Sequence, residues 1–230
     1  MRTKTSALTM LLLLLAPGCR HAQPPGAAPI LEAVGARAPQ APDPLAPITP
    51  AVSPADRIVN RAKQEVRSGV TYDASYRAMK YPGGDVPSDR GACTDVLIRA
   101  LRAAGYDLQK LIHEDARRDP ARYPGLERAG GDGNIDHRRA RNHLAFFERY
   151  GRKLPAETTG AAAASWQPGD LVYWKLDNNL DHCGVLSNVR NAQDLPLVIH
   201  NIGIARQEDC LTAWRIVAHF RYPAGVSGKR

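Results

Sequence analysis

The chain has 230 residues, 43% of them hydrophobic and 23% charged, which suits one globular domain with appendages. Its formal charge is +8, from 31 Lys and Arg against 23 acids. The excess is spread without a basic stripe interleaved with aromatics or any nucleic-acid motif, so it reads as a solvated, mildly basic surface, and points to anionic envelope polymers or lipid surfaces more readily than to nucleic acid.

Residues 1–19 read as a secretory signal peptide. Arg2 and Lys4 form a basic start, and Leu8 to Leu15 is a short apolar run, too brief to span a bilayer. Ala16-Pro-Gly-Cys19 then resembles the lipobox of bacterial lipoproteins, with Cys19 as the lipidation site, although Ala16 and Pro17 depart from its usual residues. Two outcomes follow: a lipid-anchored protein facing the periplasm, or a soluble export product. Residues 20–54 are rich in Ala and Pro and form a partly stiff linker, and 224–230 form a flexible tail. The domain is expected over 55–223.

Within it, Ile58, Val59, Ala62 and Val66 form one helical face, ended by Ser68-Gly69. Val70 to Asp89 reads as a loop carrying Tyr72, Tyr76 and Tyr81, which either line a groove or cover the edge of the core. Val96, Leu97, Ala100, Leu101 and Ala104 predict a second helix with Ser88 or Asp89 as start signals and Gly105 as its left-handed end. Cys93 falls in its first turn, where free N–H groups and the helix dipole favour a thiolate. A buried structural cysteine is the competing reading.

A helix is expected near 106–114 and another over 137–150, with irregular chain over 117–136 between them. Asn134-Ile-Asp-His-Arg-Arg139 makes His137 either a general acid or metal ligand, or a surface histidine in an ion-pair cluster. The last third changes period: 170–174, 183–187, 197–200 and 218–222 read as strands of an antiparallel meander separated by Asp177-Asn-Asn179 and Asn191–Asp194. Helices first and strands after define an α+β domain.

If Asn191–Asp194 is a turn, antiparallel pairing brings His182 and His200 together on one face, and Gly184 leaves room for another segment such as the start of the Cys93 helix. Thiol, imidazole and a second polar group supply nucleophile, base and orienting residue. Cys183 and Cys210 either pair in an oxidising envelope or stay separate buried thiols; no cysteine spacing fits zinc, and neither metal nor cofactor is expected.

The motifs Tyr81-Pro-Gly-Gly-Asp-Val-Pro, Arg90-Gly-Ala-Cys-Thr-Asp95, Asn134–Arg139, Gln167-Pro-Gly-Asp-Leu-Val172, Asp181-His-Cys-Gly-Val185 and His200-Asn-Ile-Gly203 resemble a family of uncharacterised bacterial exported proteins, a domain of unknown function. That family is similar in turn to NlpC-type, papain-like cysteine peptidases of cell-wall turnover. The resemblance implies a papain-like α+β fold with the nucleophile at a helix N-terminus. It makes Cys93 the nucleophile, His182 the base, His200 the orienting member and Tyr81 a contact of the reacting centre; Asp95, Asn201 and His137 join Tyr81 as candidate substrate contacts. NlpC-type enzymes usually carry Asp-Cys-Ser-Gly where this chain has Ala92-Cys93-Thr94-Asp95, and the segment 106–165 is longer than their connection.

The expected activity is hydrolysis of an amide in peptidoglycan or a related envelope conjugate through a thioester. An acyltransferase on the same fold and a non-catalytic envelope-binding lipoprotein are the alternatives. Nothing in the chain fixes an oligomeric state.

Overall fold

The computed structural model describes residues 42–126 and 131–224. The expected signal peptide with Cys19, most of the expected linker, and residues 225–230 of the expected tail lie outside the described residues. Among the described residues no helix is long and apolar enough to cross a membrane.

Helix α1 (Pro54–Arg67) starts on a capping box, in which Ser53 accepts from the Asp56 N–H while the Asp56 carboxylate accepts from the Ser53 N–H. The expected linker boundary at 54 moves, because chain from residue 43 is already tied to the domain. Ile48 and Asn60 exchange two hydrogen bonds, the buried Lys63 Nζ donates to the Ala46 carbonyl, and Arg67 pairs with Asp43.

Helix α2 (Cys93–Ala103) ends where Gly105 takes a φ of +96°. Contrary to expectation, neither Ser88 nor Asp89 caps its start. Ala92 stands at the N-cap without a capping side chain, and Asp95 reaches back to its N–H at 2.6 Å. Helices α3 (Leu108–Arg118) and α4 (Ala140–Tyr150) complete the helical layer, α3 capped by Asp107 and running four residues past the expected end at 114.

Two short strands, β1 (Thr71–Tyr72) and β2 (Arg90–Gly91), pair in parallel and close the tyrosine loop at its base. The main sheet contains β3 (Arg152–Leu154), β4 (Leu171–Lys175), β5 (Asp181–Arg190), β6 (Pro196–Asn201), β7 (Ala205–Glu208) and β8 (Arg215–Arg221). All its pairings are antiparallel, in the order β3-β8-β4-β5-β6-β7. The predicted meander holds for β4 to β6, with Asn179 and Asp194 in the left-handed region at its turns, and β7 extends it by a strand the sequence reading lacks. The last strand departs from it by returning to the far side of β4.

The sheet is buried on both faces. Leu171, Tyr173, Cys183, Val185 and Ile199 pack with the helices, whereas Val172, Trp174, Leu186 and Val198 pack with Trp166, Cys210 and Leu211. Cys183 and Cys210 therefore sit in different cores as free thiols, and the disulfide alternative is excluded. The motif around Asp170 is structural too: its carboxylate accepts from the Gln167 N–H, His219 Nε2 and Arg221, while Trp166 stacks on His219 at 3.7 Å.

Candidate active site

Helix α2 packs on β5 and β6, which sets Cys93 at the end of the sheet where His182 and His200 stand. The expected cross-strand meeting of the histidines holds: His182 Nε2 and His200 Nδ1 are 2.9 Å apart. Their rings cross at 80°, and Trp174 stacks on His182 at 5.6 Å with a 19° tilt. Trp214 closes on both imidazoles at 5.7 and 6.1 Å. Both histidines are buried, so each ring has one orientation fixed by aromatic walls.

Because side chains alternate along β5, His182 lies on the tryptophan side and Cys183 on the helix side. Cys93 touches both. Hydrogen bonding from the Cys183 thiol lowers the Cys93 pKa most, burial opposes it, and the His182 imidazole adds a hydrogen bond and its charge, so that Cys93 is held down to about 5. Cys183 moves the other way, pushed well up by burial and by donating to Cys93. Burial and the neighbouring His182 charge lower His200 to about 4. With His182 Nε2 committed to His200, Nδ1 is the ring nitrogen left for the thiol.

The other predicted contacts fall elsewhere. Asp95 is buried and its carboxylate is consumed by the Ala92 N–H and by Arg138, whose Nη2 lies 2.8 Å away. Asn201 is fully buried, donates to the Gly91 and Val70 carbonyls and accepts from the Gly203 N–H. Both hold the approach to Cys93 in place, so neither is free to bind substrate. Tyr81 points to His113 and Glu114 rather than to the thiol. The tyrosine beside the two thiols is Tyr72, whose phenol is raised by burial and by the charges of Cys93 and Cys183. It lay in the same loop, and its spacing from Cys93 gave no separate signal.

His137 is buried, not a surface group, and burial lowers it to about 3. Its carbonyl accepts from His143 Nε2. The segment 134–139 works as a wedge: the Arg138 carbonyl accepts from Thr94 Oγ1, while its guanidinium binds Asp95 and the carbonyls of Asp73 and Ser75. A long insert thus braces the start of the cysteine helix.

The resulting centre is an activated thiol at a helix start, facing a histidine held by a second histidine within an α+β domain. The chain belongs to the bacterial DUF1287 family, described as a domain of unknown function, whose match covers residues 59–222. It is 47% identical over 169 residues, 72% of this chain and 80% of the relative, to the "Uncharacterized protein YijF" of Escherichia coli (strain K12). No solved structure matches it.

Proposed function

We propose that the protein is an exported thiol hydrolase of papain-like, NlpC-type arrangement, acting on an amide of peptidoglycan or a related envelope conjugate. The observation that carries this reading is the chain of contacts from Cys93 through His182 to His200, with Cys93 lowered to about 5 at a helix start.

The Cys93 thiolate adds to the amide carbonyl carbon, and the carbonyl electron pair moves onto oxygen beside the N–H groups of Cys93 and Thr94 at the start of α2. The His182 imidazolium gives its proton to the amine as the C–N bond breaks, leaving a thioester. Water, deprotonated by the now neutral His182, attacks the thioester; the acid leaves, and the thiolate and imidazolium return. The exposed Tyr72, Ile202 and Ile204, joined near the site by the Tyr72 N–H to Gly203 carbonyl bond, offer the surface on which a substrate would lie.

The test is the rate of Cys93 alkylation by iodoacetamide against pH, followed by a muropeptide panel. The wild type is expected to reach half its maximal rate near pH 5 and to react at pH 6.5 at least 10-fold faster than an ordinary thiol of pKa about 8.5. His182→Ala should return the profile to the ordinary thiol range, and Cys93→Ser should abolish muropeptide cleavage. Slow alkylation indifferent to His182 would overturn the hydrolase and leave a binding domain.

A further inference from the structure

The β6–β7 hairpin holds a second group of chemically apt side chains, of which the reaction above uses one atom only. Glu208 pairs with Val198, two residues from His200, and Cys210 follows Glu208 by two. One ligand atom from each of His200, Glu208 and Cys210 lies within 4.8 Å of the others. His200 is 1% exposed, and its Nε2 has no hydrogen-bond partner. The nearest carboxylate oxygen, Glu208 Oε2 at 3.4 Å, attracts the ring without closing a bond. An orphaned nitrogen at 1% exposure calls for an explanation, because a buried polar group left unpaired has given up its water without a replacement.

We propose that His200 Nε2, the Glu208 carboxylate and the Cys210 thiolate bind one divalent ion of the zinc class, with a fourth position left for water. A nitrogen, oxygen and sulfur donor set suits zinc and not magnesium or calcium, which take oxygen ligands. Ligand atoms around a tetrahedral ion stand about 3.5 Å apart, so the triad need contract only by a rotamer adjustment. Glu208 is partly exposed and opens the route in. On binding, the Cys210 thiol releases its proton to solvent and its sulfur lone pair forms the bond to the ion.

The consequence for the active site rests on the hydrolase reading. An ion on Nε2 confines the proton of neutral His200 to Nδ1, which must then donate to His182 Nε2. The His182 imidazolium needs a proton on that same Nε2, and two N–H groups cannot face each other at 2.9 Å. A bound ion therefore withholds the proton donor and turns the site off.

The experiment titrates the purified protein with Zn²⁺ against a chromophoric chelator and, separately, with Co²⁺ followed by absorption. Wild type should take up one ion, with affinity at least 10-fold weaker in Cys210→Ser and in Glu208→Gln. The cobalt complex should show a thiolate charge-transfer band that Cys210→Ser loses and Cys93→Ser keeps. Absence of stoichiometric binding, a band unchanged by Cys210→Ser, or a band lost in Cys93→Ser would overturn the site; Glu208→Gln, at a partly exposed position, decides the matter if Cys210→Ser unfolds. Zn²⁺ should also slow Cys93 alkylation at least 10-fold in wild type but not in Glu208→Gln, and an undiminished wild-type rate would overturn the inhibition. If Cys93 proves unreactive without any ion, the hydrolase reading fails, and the cobalt spectra still decide the metal site.

Discussion

A Cβ on residue 184 would stand 2.5 Å from Val198 Cγ1, 3.1 Å from the Ile199 carbonyl oxygen and 3.3 Å from Trp174 Cη2. The space beside His182 is thus filled by Trp174 and Val198, and not by the start of the cysteine helix as the sequence led us to expect. Gly184→Ala must move either the ring stacked on His182 or strand β6. We expect a loss of about 1–3 kcal/mol in urea unfolding, with slower Cys93 alkylation because the imidazole is displaced. The His182–His200 contact was legible from the sequence, since strand alternation and one turn suffice to pair two positions. Tyr72 and His137 were not, because a loop tyrosine's neighbour and a histidine's burial depend on chain far away in sequence.

At the scale of elements, α2 depends on a segment more than 40 residues downstream. Thr94, Asp95 and Arg138 form a buried lock, and Arg138 extends it to the carbonyls of the tyrosine loop. Asp95→Asn keeps the shape but strips the charge, leaving the Arg138 guanidinium buried without its carboxylate. The expected loss is about 3–5 kcal/mol in chemical denaturation, the usual result of breaking one side of a buried pair. The helices were readable because their apolar faces recur over three turns. Strands β3 and β7, with three and four residues, carry too few alternations to register, and the placement of β8 beyond β4 reflects packing of both sheet faces. Asp95 in the third position of α2 was half of a capping signal whose other half, at Ala92, is missing.

Across the whole molecule, burial holds three histidines neutral: His137 is lowered to about 3, and His143 and His200 to about 4. Unfolded histidines titrate near 6.5, so between about pH 6.5 and 4 the unfolded chain binds more protons than the native one. Stability is therefore full above that window and falls as pH drops through it. Each such histidine is expected to remove roughly 2 kcal/mol by pH 5. Urea midpoints at pH 7 and 5 would measure the fall, and imidazole NMR signals should show these three rings untitrated at pH 5; a ring titrating near 6.5 would remove its share.

The strap that precedes α1 has a mechanical meaning. Asp43 is fastened to Arg67 at the far end of the helix, and the Pro44 carbonyl accepts from Gln207 on the edge strand β7. A pull exerted through residue 42 would load those fastenings in turn, peeling residues 43–48 from the flank of α1 before the covalent chain drew on the start of the helix at Ser53. The strap thus acts as a strain relief, giving up its own surface bonds before the start of α1 is pulled out of its cap.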